Sequence, residues 1–236
     1  MKRLILFILA VACLTLPPRA SGQDERILIN KGRIPLEADD AKKFVPPGWK
    51  IEEQVSGDLN SDGLNDVVLK LVEDKPATDS EGVATERSRA LVILLRAQGD
   101  KLTRAAVADK LLQCTRCGGA FYGVSESPAN IHIERAGLVV DQDHGSRNLT
   151  NTTYRFRYDA AAKQFLLIGF DYADADRATA NVISESSNYL TGVRIVTRGK
   201  GNQDVKSRTT FVKKNISIES VDSEKFEEEA VKRLKL

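Results

Sequence analysis

The chain has 236 residues and a mass of 26.0 kDa, with 42% hydrophobic and 29% charged residues. That balance fits a globular protein of one or two domains and excludes a disordered or collagen-like chain. The formal net charge is +2, but residues 1–22 hold Lys2, Arg3 and Arg19 and no acid, so without them 35 bases fall by three against 33 acids. The near-neutral remainder removes the simplest argument for binding nucleic acid or an anionic membrane.

Taken in chain order, the first segment reads as a secretory signal. Lys2 and Arg3 precede an apolar stretch over 4–16 that is too short for a membrane span. Pro17 and Pro18 stop it, and Ala20-Ser21-Gly22 offers small residues for cleavage before Gln23. Lipidation at Cys13 is the weaker variant, because Ala10 stands where a lipobox prefers a larger aliphatic residue. No later segment approaches the length of a transmembrane span, so none is expected in the mature chain. Residues 23–50 form a lead-in interrupted by Pro35, Pro46, Pro47 and Gly48. Trp49, the single tryptophan, is expected to pack on the first sheet.

Residues 51–221 read as a mainly β domain of antiparallel strands and hairpins, with an α+β arrangement as the variant. Val- and Leu-rich runs at 66–72 and 90–96 flank a polar loop at 74–88 that contains Pro76 and Gly82. The segment 103–112 is ambiguous: its alanines favour a helix, while a strand pairing with 90–96 competes. Ile131 and Ile133 alternate with His132 and Glu134, and Ala136-Gly137 turns the chain into Leu138-Val139-Val140. Tyr154, Phe156 and Tyr158 alternate with Arg155 and Arg157, which places rings inside and arginines outside without a nucleic-acid ligand. A connector at 159–163 leads to an apolar run at 165–170. Further strands are expected at 189–198 and, more weakly, at 209–213, and the basic segment 198–214 reads as a solvated loop. A helix is expected near 223–235, with acids early, bases late and Phe226, Ala230 and Leu234 on one stripe.

Cys114 and Cys117 are expected to form a local disulfide in an oxidising compartment. A thioredoxin-like redox site needs a helix N-terminus at the pair, and Gly118-Gly119 starts a helix poorly. A zinc site needs two more ligands, and His132 and His144 do not stand at finger spacing. A group of Asp141, Asp143, His144 and Arg147 is a further candidate, although that stretch reads first as a polar turn.

One motif carries specific chemistry. Residues 57–69 place oxygen side chains at Asp58, Asn60, Asp62 and Asp66, loop positions 1, 3, 5 and 9, with Gly63 at position 6. A hard cation such as Ca²⁺ takes six to eight oxygens, and closely spaced acids repel each other unless a cation sits among them. An EF-hand would carry Glu at position 12, where this chain has Leu69, and would continue as a helix rather than Val67-Val68-Leu69. The loop resembles the calcium hairpin of FG-GAP and VCBS proteins, the repeats of integrin α-subunit propellers. That resemblance implies one structural Ca²⁺ held by Asp58, Asn60, Asp62 and Asp66 together with the Leu64 carbonyl. It covers about 25 residues. A propeller would repeat the motif in each blade, and only decayed versions occur at 141–145 and 171–176, so a full propeller is not expected.

No nucleophile elbow, P-loop or dinucleotide fingerprint is present. The sequence therefore points to an exported bacterial cell-envelope protein, a non-enzymatic binding or structural module whose β domain is stabilised by calcium. Its partner is an envelope or extracellular ligand not readable from sequence. The alternative is an exported hydrolase acting on glycan or peptidoglycan, recognisable by a cleft with two carboxylates at catalytic spacing.

Overall fold

A computed structural model describes residues 26–123, 125–200 and 203–236; the signal segment and Cys13 lie outside the described residues. Among the described residues, the chain forms two antiparallel sheets and one C-terminal α-helix. Neither sheet closes into a barrel or propeller.

The first sheet has the order β1-β5-β4-β3-β2. Its strands are β1 (Glu37–Ala38), β2 (Trp49–Gly57), β3 (Asp66–Glu73), β4 (Arg89–Arg96) and β5 (Leu102–Ala108). Every residue of β3 is buried, as a strand covered on both faces requires. Val68, Leu91, Ile93 and Ala106 face the second sheet. Val67, Leu69, Leu71, Val92 and Leu94 face the other way, where Ile29, Ile34 and Phe44 cover them. The lead-in is thus a lid over a second core, held by short 3-10 turns at Lys31–Arg33 and Ala41–Phe44 and by β1. Trp49 packs against this outer core. The ambiguous segment is a strand: β5 pairs with β4, and its buried side chains fill both cores.

The second sheet is an up-and-down meander, β12-β11-β10-β9-β8-β7-β6. Its strands are β6 (Ala129–Glu134), β7 (Gly137–Gly145), β8 (Asn148–Asp159), β9 (Gln164–Asp176), β10 (Asn181–Asn188), β11 (Val193–Lys200) and β12 (Gln203–Thr210). Arg135 and Ala136 both take positive φ, 51° and 56°, making the two-residue turn between β6 and β7. Alternation on β8 buries Tyr154 and Phe156 completely, beside Phe165 and Phe170 of β9. Each such ring contributes about 1.5–3 kcal/mol by leaving water. The helix α1 (Ser223–Leu234) lays Ala230 and Leu234 into the same core and packs Phe226 edge-on against Tyr154 and Phe170.

Three sequence expectations are corrected. The strand expected at 189–198 starts at Val193, because Asn188 caps a turn that leads through Gly192 at φ +70°. The segment 198–214 is not simply a loop, since Gln203–Thr210 pairs with β11 over its whole length. The strand expected at 209–213 ends at Thr210.

Candidate metal centre

The hairpin between β2 and β3 carries the acidic loop, with Gly57 opposite Asp66 in register. Its connection is tight because Ser61 and Gly63 take positive φ, 64° and 85°. Asp58 organises the loop: Oδ1 accepts the N–H of Ser61 at 2.7 Å and Oδ2 that of Gly63 at 3.0 Å. Asn60 Oδ1 accepts the Asp62 N–H at 3.1 Å, and its Nδ2 donates to Asp62 Oδ2 at 2.9 Å. Asp62 Oδ1 accepts the Leu64 N–H at 2.8 Å. The side chains at positions 1, 3 and 5 are therefore joined in one exposed loop, to which Leu64 contributes its N–H.

Asp66 sits differently. It is fully buried at the base of the loop. Oδ2 accepts the Leu59 N–H and Oδ1 the Arg96 N–H, each at 2.8 Å. It thereby ties the loop to the end of β4, a contact between segments 30 residues apart that no local pattern marks. The three loop carboxylates do not converge to within 4.8 Å of one another. Among the described residues no lysine or arginine pairs with any of them; Arg96 turns its guanidinium to the Asn65 carbonyl and Asp100. Burial pushes the Asp66 carboxyl above its ordinary pKa, the two backbone N–H groups oppose this, and Asp62 and Asp58 add repulsion. A donor set of three acids and one amide without a basic partner fits a hard divalent cation, which would supply the missing positive charge.

Cys114 and Cys117 are joined as a disulfide, with Cα atoms 5.1 Å apart. A short 3-10 turn at Gly119–Phe121 follows the pair, not the α-helix of a redox motif. The glycines serve packing instead: a Cβ on Gly119, at φ +69°, would lie 2.6 Å from the Gly145 carbonyl oxygen. Gly145 N–H donates to the Gly118 carbonyl at 2.9 Å, docking the disulfide loop on the end of β7. Ser127 Oγ donates to the Cys114 carbonyl at 2.7 Å. Glu86 lies near both sulfurs, but sulfurs bonded to each other offer no thiolate to a metal.

The group Asp141, Asp143, His144 and Arg147 is divided among separate partners. Asp141 accepts from Thr153, Asp143 from Asn151, and Arg147 pairs with Asp176. Arg147 holds the Asp176 carboxyl down to about 2. Asp141, Asp143 and His144 lie at the end of β7, Ser146 and Arg147 form the turn into β8, and His144 Nε2 reaches Glu227 Oε2 of α1 at 2.6 Å. His132 lies on the open face, 3.6 Å from Asp141.

Sequence reasoning missed the buried charged clusters, one of Arg87 and Arg89 with Glu52 and Glu126 and one around Glu185. Glu185 of β10, its side chain wholly buried, pairs with Arg233 of α1 and lies 3.6 Å from Arg194 of β11. A lone acid in the serine-rich run of β10 was its only local signal. Comparison with known proteins adds no relative: no protein-family model and no curated protein matches this chain.

Proposed function

We propose that this is an exported cell-envelope protein whose β domain is pinned by one Ca²⁺ and which acts as a binding or structural module. The observation that carries the reading is the loop itself. Asp58, Asn60, Asp62 and Asp66 stand at positions 1, 3, 5 and 9 of a connection between two antiparallel strands, with no basic partner among the described residues. Asp58, Asn60, Asp62, Asp66 and the Leu64 carbonyl would hold the ion. It would supply charge compensation and fix the β2–β3 turn beside the first sheet. The resemblance to FG-GAP and VCBS hairpins supports the same assignment for the loop and nothing beyond it.

Export is supported by the composition of residues 1–22 and by the disulfide, which suits an oxidising compartment. No helix among the described residues is long and apolar enough to cross a membrane. Two measurements test the reading. Intact mass of periplasmic or secreted material should show a chain beginning near Gln23. Thermal unfolding should shift upward with Ca²⁺ and much less with Mg²⁺, whose smaller octahedral shell suits a crowded loop badly. A full-length cytosolic product contradicts the first part, and a melting temperature indifferent to Ca²⁺ contradicts the second.

A further inference from the structure

Beside β10 and β11 of the second sheet, α1 and the segment 211–216 border a half-open cavity of about 470 Å³. Cavities of this size hold small organic ligands. Part of its wall is aromatic. Tyr189 and Phe211 meet edge-on with centroids 5.2 Å apart, and Phe226 adds a third ring. The rest is mainly basic: Arg194, Arg233 and Lys214 line it, against the single acid Glu229.

The pairing of these charges selects the ligand. Glu185, buried behind the cavity, accepts from Arg233 Nη2 at 2.5 Å and Nε at 3.1 Å. Glu229 accepts from Arg233 Nη1 at 3.4 Å. Glu229 therefore serves Arg233 alone, while Glu185 hydrogen-bonds Arg233 and is shared more loosely with Arg194. Arg194 Nε donates to Ser187 Oγ at 2.8 Å, and the nearest carboxylate oxygen, on Glu185, is 3.6 Å away. The Arg194 guanidinium carbon lies 4.9 Å from the Phe211 ring centre. Among the described residues no acceptor meets the two Nη groups of Arg194, and Lys214 has no acidic partner. Three bases thus face two acids, which leaves one positive charge at a half-buried site. Burial lowers the Arg194 pKa and Arg233 adds to the effect, with Glu185 opposing.

We propose that this cavity binds a small monocarboxylic acid with an apolar body. Its carboxylate accepts hydrogen bonds from the Arg194 Nη groups, and its body lies against Tyr189, Phe211 and Phe226. A planar guanidinium with two unmet N–H groups matches a carboxylate bidentately. A monoanion neutralises the site, whereas a dianion would leave a surplus negative charge beside buried Glu185. The cavity shares no residue with the loop at 57–69, so titration in chelator tests this proposal whatever the outcome for calcium.

The test is calorimetric titration of the mature chain with octanoate and with octanol. Octanoate should bind saturably at one site, and octanol about tenfold more weakly or not at all. Arg194→Gln should weaken octanoate about tenfold while leaving octanol unchanged. Because Arg194 lies near buried Glu185, a second variant guards against misfolding. Val212→Glu adds an acid at an 81% exposed rim position, and should weaken octanoate several-fold at low salt and less at high salt. Absence of saturable octanoate binding at millimolar concentration overturns the proposal. Equal binding of octanol, or an octanoate affinity untouched by Val212→Glu and by folded Arg194→Gln, overturns it as well.

Discussion

Asp66→Ala separates the scaffold role of the acidic loop from its role as a ligand set. Asp66 is 0% exposed, and its two oxygens accept the N–H groups of Leu59 and Arg96, both at 2.8 Å. Alanine leaves the buried Leu59 donor and the part-buried Arg96 donor without the carboxylate that meets them. An unmet buried N–H costs about 1–3 kcal/mol and a part-buried one less, so the substitution should cost about 1–4 kcal/mol. That is a large share of the roughly 5–15 kcal/mol that holds a domain folded. Asp66→Asn keeps one acceptor oxygen and should lose about half as much. The assay is urea unfolding in EGTA, so that no divalent cation contributes. Asp62→Ala is the control: its carboxylate lies in the exposed loop and accepts the Leu64 N–H, so in EGTA it should cost less than about 1 kcal/mol. A loss below about 0.5 kcal/mol for Asp66→Ala in EGTA would refute the assignment of Asp66 as the tie between loop and β4.

The disulfide closes a loop of sequence separation 3, so Cys114→Ser with Cys117→Ser should cost about 2 kcal/mol or less by urea unfolding; a free-thiol assay on the unreduced chain should find neither cysteine reactive. Glu185→Ala leaves Arg233 and Arg194 without their buried counter-charge and should cost about 3–5 kcal/mol, against less than about 1 kcal/mol for exposed Glu229→Ala; equal losses in thermal or urea melts would contradict the burial argument. The hydrogen bond that the His144 ring donates to Glu227 raises the His144 pKa above its ordinary 6.5 despite partial burial. A raised folded value means that this contribution is full below pH 6.5 and is lost as pH rises through the folded value. Melting temperature followed across that window should show the decline in the parent chain and not in His144→Gln.

Much of the β architecture was legible because burial imposes alternation. Tyr154, Phe156 and the pair Ile131 and Ile133 announce half-buried strands, and the Val- and Leu-rich run of β3 announces a strand, although Lys70 within it hides that both faces are covered. β12 was hidden for the opposite reason: all its side chains are exposed, so no apolar period marks it. β10 was hidden by composition: its fully buried positions are Glu185 and Ser187, and Ile183 is the one aliphatic residue on that face. The lead-in showed its prolines but not its task, because Ile29, Ile34 and Phe44 are spaced irregularly and find their partners only in three dimensions. In the acidic loop, Asp58, Asn60 and Asp62 were readable from local spacing, and Gly63 takes the left-handed conformation that spacing requires. The tie from Asp66 to Arg96, the latch from His144 to Glu227 and the cavity beside Arg194 join segments far apart in the chain, and no local pattern records them.

Calorimetric titration of Ca²⁺ into EGTA-stripped mature chain tests the central claim most directly. The account predicts one site that saturates at or below about millimolar Ca²⁺, disappears in Asp62→Ala, persists in Asp141→Ala and does not respond comparably to Mg²⁺. Absence of binding heat at millimolar Ca²⁺, together with an unchanged melting temperature, would contradict it and reduce residues 57–69 to an acidic turn.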